Sequence, residues 1–117
     1  MRYMLLIYSN PSAMESMSAE ESGAMMGEYF AFTQRIVDSG EFVAGDPLQG
    51  IDTATTVRVH QGKTASTDGP FAETKEVLGG YYIVNCADLD RAIGIAAQIP
   101  AARHGSVEVR PIQEMGG

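Results

Sequence analysis

Six side chains in this sequence have chemistry that could act on a small molecule: Asp68, His104, Lys75, Asp46, Tyr8 and Tyr29. A carboxylate at the mouth of a cleft can take a proton, which makes Asp68 a candidate general base, and an imidazole such as that of His104 can shuttle one. Lys75 could hold an anionic group; alternatively it pairs with Asp68. Tyr8, Tyr29 and Asp46 are candidates for binding rather than for chemistry. Each also has a plainer role. An Asp in a turn bonds backbone two residues on, His104 beside Arg103 can simply be solvated, and tyrosines pack.

Asp68 opens a stretch, Asp68-Gly69-Pro70-Phe71-Ala72-Glu73-Thr74-Lys75-Glu76, that puts a turn, an aromatic ring and four charges into nine residues. Gly-Pro favours a turn, because Pro fixes its own φ and pushes the preceding residue out of the helical region. A loop so charged needs an apolar anchor to be ordered. Phe71 is therefore expected to be buried, with Phe71→Ala costing about 3 to 5 kcal/mol if the ring is enclosed.

Elements that position these residues can be read in order. Residues 3–8 are apolar throughout, a short strand with both faces covered. Asn10-Pro11-Ser12 ends it. Ser18 and Glu21 form a capping box that starts a helix, and Gly40 suits its C-terminal end. Met26, Tyr29, Phe30, Ile36 and Val37 are expected on its inner face. A short strand at 41–45 runs into a turn at Asp46-Pro47. Residues 55–60 and 63–67 form a hairpin around Gln61-Gly62, an edge ribbon with little core. Residues 81–85 make a second strand apolar on both faces. Asp88 caps a second helix with Leu89, Ala92, Ile93, Ala96 and Ile99 inward, closed by Pro100. Residues 106–111 form the last strand, with Val107 and Val109 inward.

With the hairpin set aside as an insertion, the order is strand, helix, strand, strand, helix, strand. That is the split βαβ arrangement of an α+β, ferredoxin-like sandwich, with both helices on one face. The other face carries apolar residues from two strands and needs a cover, most simply the same face of a second chain, so a homodimer is expected. One rim of the sheet gathers Tyr8, Asp46, Gly79-Gly80 and His104-Gly105, and the Asp68 stretch runs into it. A cleft between rim and stretch, floored by Tyr29, is the expected site for a small-molecule ligand.

Composition excludes several alternatives. One domain spans 1–117, and a net charge of −7 with no two basic residues adjacent argues against nucleic acid. No stretch approaches the length of a membrane span, and the opening apolar run is too short for a secretory signal. A lone Cys86 permits no intramolecular disulfide and reads as a small buried hydrophobe in a cytoplasmic protein. Cys86, His60 and His104 have no zinc spacing. Dinucleotide, P-loop and serine-hydrolase signatures are missing, so no cofactor or metal is expected. The acidic first-helix region, with Glu15, Glu20, Glu21, Glu28, Asp38 and Glu41 against Arg35, would alternatively suit a basic protein partner.

The Asp68-Gly69-Pro70-Phe71 motif, followed by Ala72-Glu73-Thr74-Lys75-Glu76 and Leu78-Gly79-Gly80-Tyr81-Tyr82, resembles the DGPF-motif branch of the YCII-related superfamily. Residues 1–8, Gly45-Asp46-Pro47-Leu48, residues 54–58 and residues 105–111 are similar at matching spacings. The resemblance implies a dimeric α/β barrel of two ferredoxin-like protomers. It implies an uncharacterised protein, with possible association with an extracytoplasmic-function sigma factor as a regulatory alternative. Other members of the superfamily carry a His and Asp pair proposed as catalytic. Those positions fall here on Tyr29 and near Ile99, so this chain does not carry the pair.

Overall fold

The computed structural model describes residues 1–116. Its elements are β1 (Arg2–Ser9), α1 (Pro11–Glu15), α2 (Ala19–Asp38), β2 (Phe42–Pro47), β3 (Thr55–His60), β4 (Lys63–Asp68), β5 (Val77–Asn85), α3 (Leu89–Ala96) and β6 (Ser106–Pro111). Short 3-10 turns lie at Ile51–Thr53 and Pro100–Arg103. The main sheet is antiparallel in the order β2-β5-β1-β6, and β3 pairs only with β4 in a separate ribbon. This is an α+β fold compatible with the ferredoxin-like sandwich, with the hairpin inserted between its second and third core strands.

Pairing register assigns the two faces. Tyr3, Leu5 and Ile7 of β1 stand opposite Val84, Tyr82 and Gly80 of β5, and Leu5 and Ile7 opposite Val109 and Val107 of β6. These residues meet Phe32 and Ile36 of α2 and Ala92, Ile95 and Ala96 of α3 in one core. Phe32 meets Tyr82 edge-on at 5.1 Å, and the Thr33 and Tyr82 hydroxyls share a 2.8 Å hydrogen bond. On the opposite face, Met4, Leu6 and Tyr8 pair with Ile83, Tyr81 and Leu78 and remain partly exposed, because no helix covers them.

Caps form where the side chains allow. Glu21 N–H donates to Ser18 Oγ at 3.1 Å, and Ser18 N–H donates to the Glu21 carboxylate at 3.3 Å. Asp88 accepts from Arg91 N–H at 2.9 Å. Gln61 and Gly62 take positive φ values of 50° and 76°, as a two-residue hairpin turn demands.

Several packing expectations are corrected. On α2 the inward stripe is Met25, Tyr29, Phe32 and Ile36, at spacings of four, three and four, whereas Met26, Phe30 and Val37 are exposed. The helix carries two adjacent apolar stripes about 100° apart, and the sheet takes the other one. On α3 Ile95 is fully buried, while Leu89 and Ile93 are about half exposed. Phe71 is 81% exposed, not buried; its ring is stacked by Arg58, whose guanidinium carbon lies 5.7 Å from the centroid. The loop is ordered instead by backbone: Gly69 N–H donates to Ala54 O at 2.8 Å, and its carbonyl accepts from Thr56 Oγ1 at 2.9 Å. β2 continues through Asp46 and Pro47, and β5 begins at Val77. Pro47 is tolerated because β2 is an edge strand.

Candidate functional site

The best-formed concavity lies at the rim where β1 ends, between α1, the first three turns of α2 and the Pro100–Arg103 turn. Its volume is about 240 Å³, and its lining includes Tyr29 and His104. Asn10 starts the wall: its Oδ1 accepts from Ser12 N–H at 2.9 Å, and Pro11 occupies the first helical position, so a short helix forms at once. That helix contributes Ala13 and Met14, the chain turns at Ser16-Met17, and the capped start of α2 brings Glu21 and Met25 to the opposite side. His104 closes the remaining side, held by its N–H bond to Ala101 O at 3.1 Å.

Most polar side chains here are already engaged. Asn10 and Glu21 are helix caps, Ser16 Oγ donates to Ala13 O at 2.8 Å, and Ser9 Oγ contacts the Met14 sulfur at 3.4 Å. The phenol of Tyr29 and the imidazole of His104 are left to address a ligand. Burial pushes the Tyr29 hydroxyl above its ordinary pKa, against a backbone hydrogen bond from Ala101 and the Arg103 charge, so at neutral pH it is a protonated donor. Met14, Met17 and Met25 supply thioether walls that can repack around different shapes.

The other residues singled out from the sequence lie elsewhere on the same end. Tyr8 is half-buried on the uncovered sheet face, opposite Ser106 and Leu78. Asp46 is exposed and accepts from the Tyr81 hydroxyl at 2.8 Å, a bond that, with the carboxylate charge, pushes the Tyr81 phenol up. Asp68 ends β4 opposite Thr55, and Lys75 lies in the following loop; both are exposed. Among the described residues, Asp68 and Lys75 form no ion pair with each other, and neither lines the cavity. The stretch still reaches the rim, because Ser106 Oγ donates to Glu76 Oε1 at 2.8 Å. The structure thus brings Tyr29 and His104 together and leaves Asp46, Asp68 and Lys75 apart from them.

Helix α1, which lines the cavity, is an element absent from the sequence expectations. Its signal is present in Asn10-Pro11, an N-cap followed by Pro at the first helical position, a pair that serves equally well to end a strand. Tyr81, the partner of Asp46, follows from the β2-β5 register alone. On the acidic side of the molecule, Glu28 pairs with Arg103 at 2.5 Å and Glu41 with Arg91 at 2.7 Å, so two of its carboxylates are already compensated.

Among the described residues there is no cluster of His, Cys, Asp or Glu able to hold a metal ion, and no helix is long and apolar enough to cross a membrane. Cys86 is buried, and desolvation pushes its thiol up. In sequence the chain is 38% identical over 114 residues to an uncharacterised protein from Rhizobium meliloti (strain 1021), a match that covers 96% of this chain and 92% of that one. The family model for the YCII-related domain matches residues 1–116. Nearly the whole chain is covered by both matches, and it belongs to the YCII-related domain family.

Proposed function

We propose that this chain is a homodimeric protein that binds a small, largely apolar metabolite in the cavity between α1, α2 and His104. The observation that supports this most directly is the convergence of Tyr29 and His104 on a thioether-walled space of about 240 Å³, while the neighbouring polar groups are spent on helix caps. Ligand sites are mostly apolar with a few well-placed polar groups, and this cavity, just below the small end of their size range, has that character. The Tyr29 phenol donates to a polar end of the ligand, and His104 donates or accepts beside it. Proton transfer between ligand and His104 needs no cofactor in this arrangement. Asp68 and Lys75 remain candidates for the outer edge of the same rim, delivered by the loop that Glu76 ties to Ser106.

The dimer reading is supported by the uncovered face of the sheet. Met4, Leu6, Tyr81 and Ile83 lie in its centre with no helix over them, and apolar area of that kind is normally covered. Two copies joined through these faces make the barrel-like pair that the strand pattern leads one to expect.

A thermal-shift screen of metabolites tests the site, since a ligand that binds only the folded chain raises its apparent stability. Compounds that stabilise the parent are expected to lose their effect on Tyr29→Phe, which keeps the ring and removes the donor, and on His104→Ala. Asp68→Asn, which keeps shape and removes charge, reports whether the loop takes part. A ligand that stabilises the Tyr29 and His104 variants as well as the parent refutes this site.

A further inference from the structure

None of the methionines of this chain belongs to its core. The buried cluster is built of aliphatic, aromatic and alanine side chains with Cys86, whereas all seven methionines are at least partly exposed. Three of the seven, Met14, Met17 and Met25, nevertheless line one space, the cavity beside His104. Filling volume does not call for that placement, because Leu packs about as well as Met and a half-exposed side chain packs little. Met14 is 54% exposed, so the cavity's sulfurs are open to solvent.

Backbone geometry draws these side chains together. Met17 N–H donates to Met14 O at 3.2 Å, which closes a turn directly after α1 and sets the two residues side by side. Met25 comes from α2, on the same stripe as Tyr29, and His104 from the turn before β6. Three thioethers and an imidazole therefore line a space of about 240 Å³ from separate walls. Ser9 Oγ donates to the Met14 sulfur at 3.4 Å, and a thioether keeps a second lone pair for another partner.

The donor set selects a class of ligand. Thioethers are neutral and soft, and they favour Cu(I) over Mg²⁺ and Ca²⁺, which take oxygen, or Zn²⁺, which takes imidazole, thiolate and carboxylate. Neutral donors cancel none of an ion's charge, so a monovalent cation is less costly to bury among them than a divalent one. Among the described residues Glu21 is the one carboxylate in the cavity wall, a single negative charge to balance a single positive one.

From these observations we infer that the cavity is a binding site for a soft monovalent metal ion, Cu(I), held by the sulfurs of Met14, Met17 and Met25 together with a ring nitrogen of His104. This goes beyond the metabolite reading: it shares the cavity and His104 with it, but neither the ligand nor the sulfur donors.

NMR of the whole chain with ¹³C-labelled methionine methyls tests the site. The probes are Ag(I), an air-stable ion of the same charge and softness, and Cu(I) kept reduced without oxygen. With either ion, the methyl signals of Met14, Met17 and Met25 and the ring signals of His104 are expected to shift together and to saturate at one ion per chain. Those of Met4, Met26 and Met115 are expected to stay in place. Absence of shifts, or shifts spread over the other methionines, overturns the site. Cys86 is a competing soft donor, so Cys86→Ala is titrated alongside, and a site that vanishes with the thiol is also an overturning result. As a second measurement, Met17→Leu and Met25→Leu preserve volume and remove sulfur. Each should weaken Cu(I) at least about tenfold in competition with a chromogenic chelator, since losing an outer-shell partner alone costs that much. Unchanged affinity in both variants overturns the assignment. No organic ligand enters these titrations, so a failed metabolite screen leaves the metal site standing, and a silent titration leaves the metabolite reading standing.

Discussion

Gly105 joins the Pro100–Arg103 turn to β6, next to His104, and it is the position where a single methyl group should do most harm. A Cβ placed there falls inside the van der Waals envelope of the Tyr8 carbonyl oxygen, 3.1 Å from Ser9 Cα and 3.2 Å from the Tyr8 carbonyl carbon. All three atoms are backbone of β1, which is bonded on both sides by β5 and β6 and so has little freedom to retreat. Restoring ordinary contact requires β1 and the residue 105 backbone to separate by roughly 1 Å, an overpacking that costs about 1 to 3 kcal/mol. That separation also strains the Gly105 N–H bond to Ala101 O, now 2.7 Å, at a cost of about 1 kcal/mol. Gly105→Ala is therefore expected to lose about 2 to 4 kcal/mol, or about 8 to 16 °C in Tm for a chain of this length. Gly27→Ala provides the contrast: nothing lies within 4 Å of its added Cβ, and the site is a helix interior. There the sign reverses, with a gain of about 1 kcal/mol. Urea and thermal unfolding followed by circular dichroism measure both. A Gly105→Ala variant within about 0.5 kcal/mol of the parent refutes the argument that β1 is held rigidly at the rim.

Two further outcomes follow from the same structure. Glu41 accepts two hydrogen bonds from Arg91, which hold its carboxyl down at about 2, with Ser39 assisting and burial opposing. A depressed carboxyl stabilises the fold above its unfolded pKa near 4.5, and that contribution is lost as pH falls toward about 2. The shift corresponds to about 3 kcal/mol at most; with Arg91 46% exposed, solvent screening reduces the expected value to about 1 to 2 kcal/mol. Urea midpoints between pH 5 and pH 2 should therefore fall less for Glu41→Gln than for the parent, and parallel curves would show that the pair contributes nothing. For Phe71, a ring 81% exposed and held mainly by Arg58, truncation to Ala should cost no more than about 1 kcal/mol within a protomer. A loss of several kcal/mol, measured at a concentration where the chain is monomeric, would mean that the ring is enclosed.

The sequence carried the skeleton because the skeleton depends on local signals. Ser18 with Glu21, Asp88, Gly40 and Gln61-Gly62 each specify a backbone conformation through their own side chain or the lack of one, and each is found in that role. The strand at 106–111 was legible from alternation, since Val107 and Val109 face the core while Glu108 and Arg110 do not. Helix facing was less legible: with apolar residues at 25, 26, 29, 30, 32, 36 and 37, α2 offers two stripes, and only the position of the sheet selects between them. Phe71 failed for a related reason, because an aromatic ring in a loop can be satisfied by one guanidinium. Tyr29 and His104 line one cavity because the topology brings α2 and the entry to β6 to the same end of the sheet. The cavity also depends on α1, whose five residues are too short for periodicity to reveal and whose cap signal, Asn10-Pro11, suits a strand end equally well.

β1 lies at the centre of the sheet yet comes first in the chain. Its partners are β5 and β6, so Tyr3 must wait for Val84 and Pro111 before either side of it is paired. On a ribosome adding about 5 to 20 residues each second, an apolar strand with both edges open persists for several seconds before β5 has emerged. Loop closure over such separations slows folding further. The N-terminal strand is thus the segment most exposed to chaperone capture or to edge-to-edge association while the chain is being made. The last closure joins residue 2 to residues 112–114: Ile112 N–H donates to Arg2 O at 3.0 Å, and the Arg2 guanidinium grips the Glu114 carboxylate with bonds of 2.9 and 3.0 Å. This closure can form only after Glu114 has been synthesised.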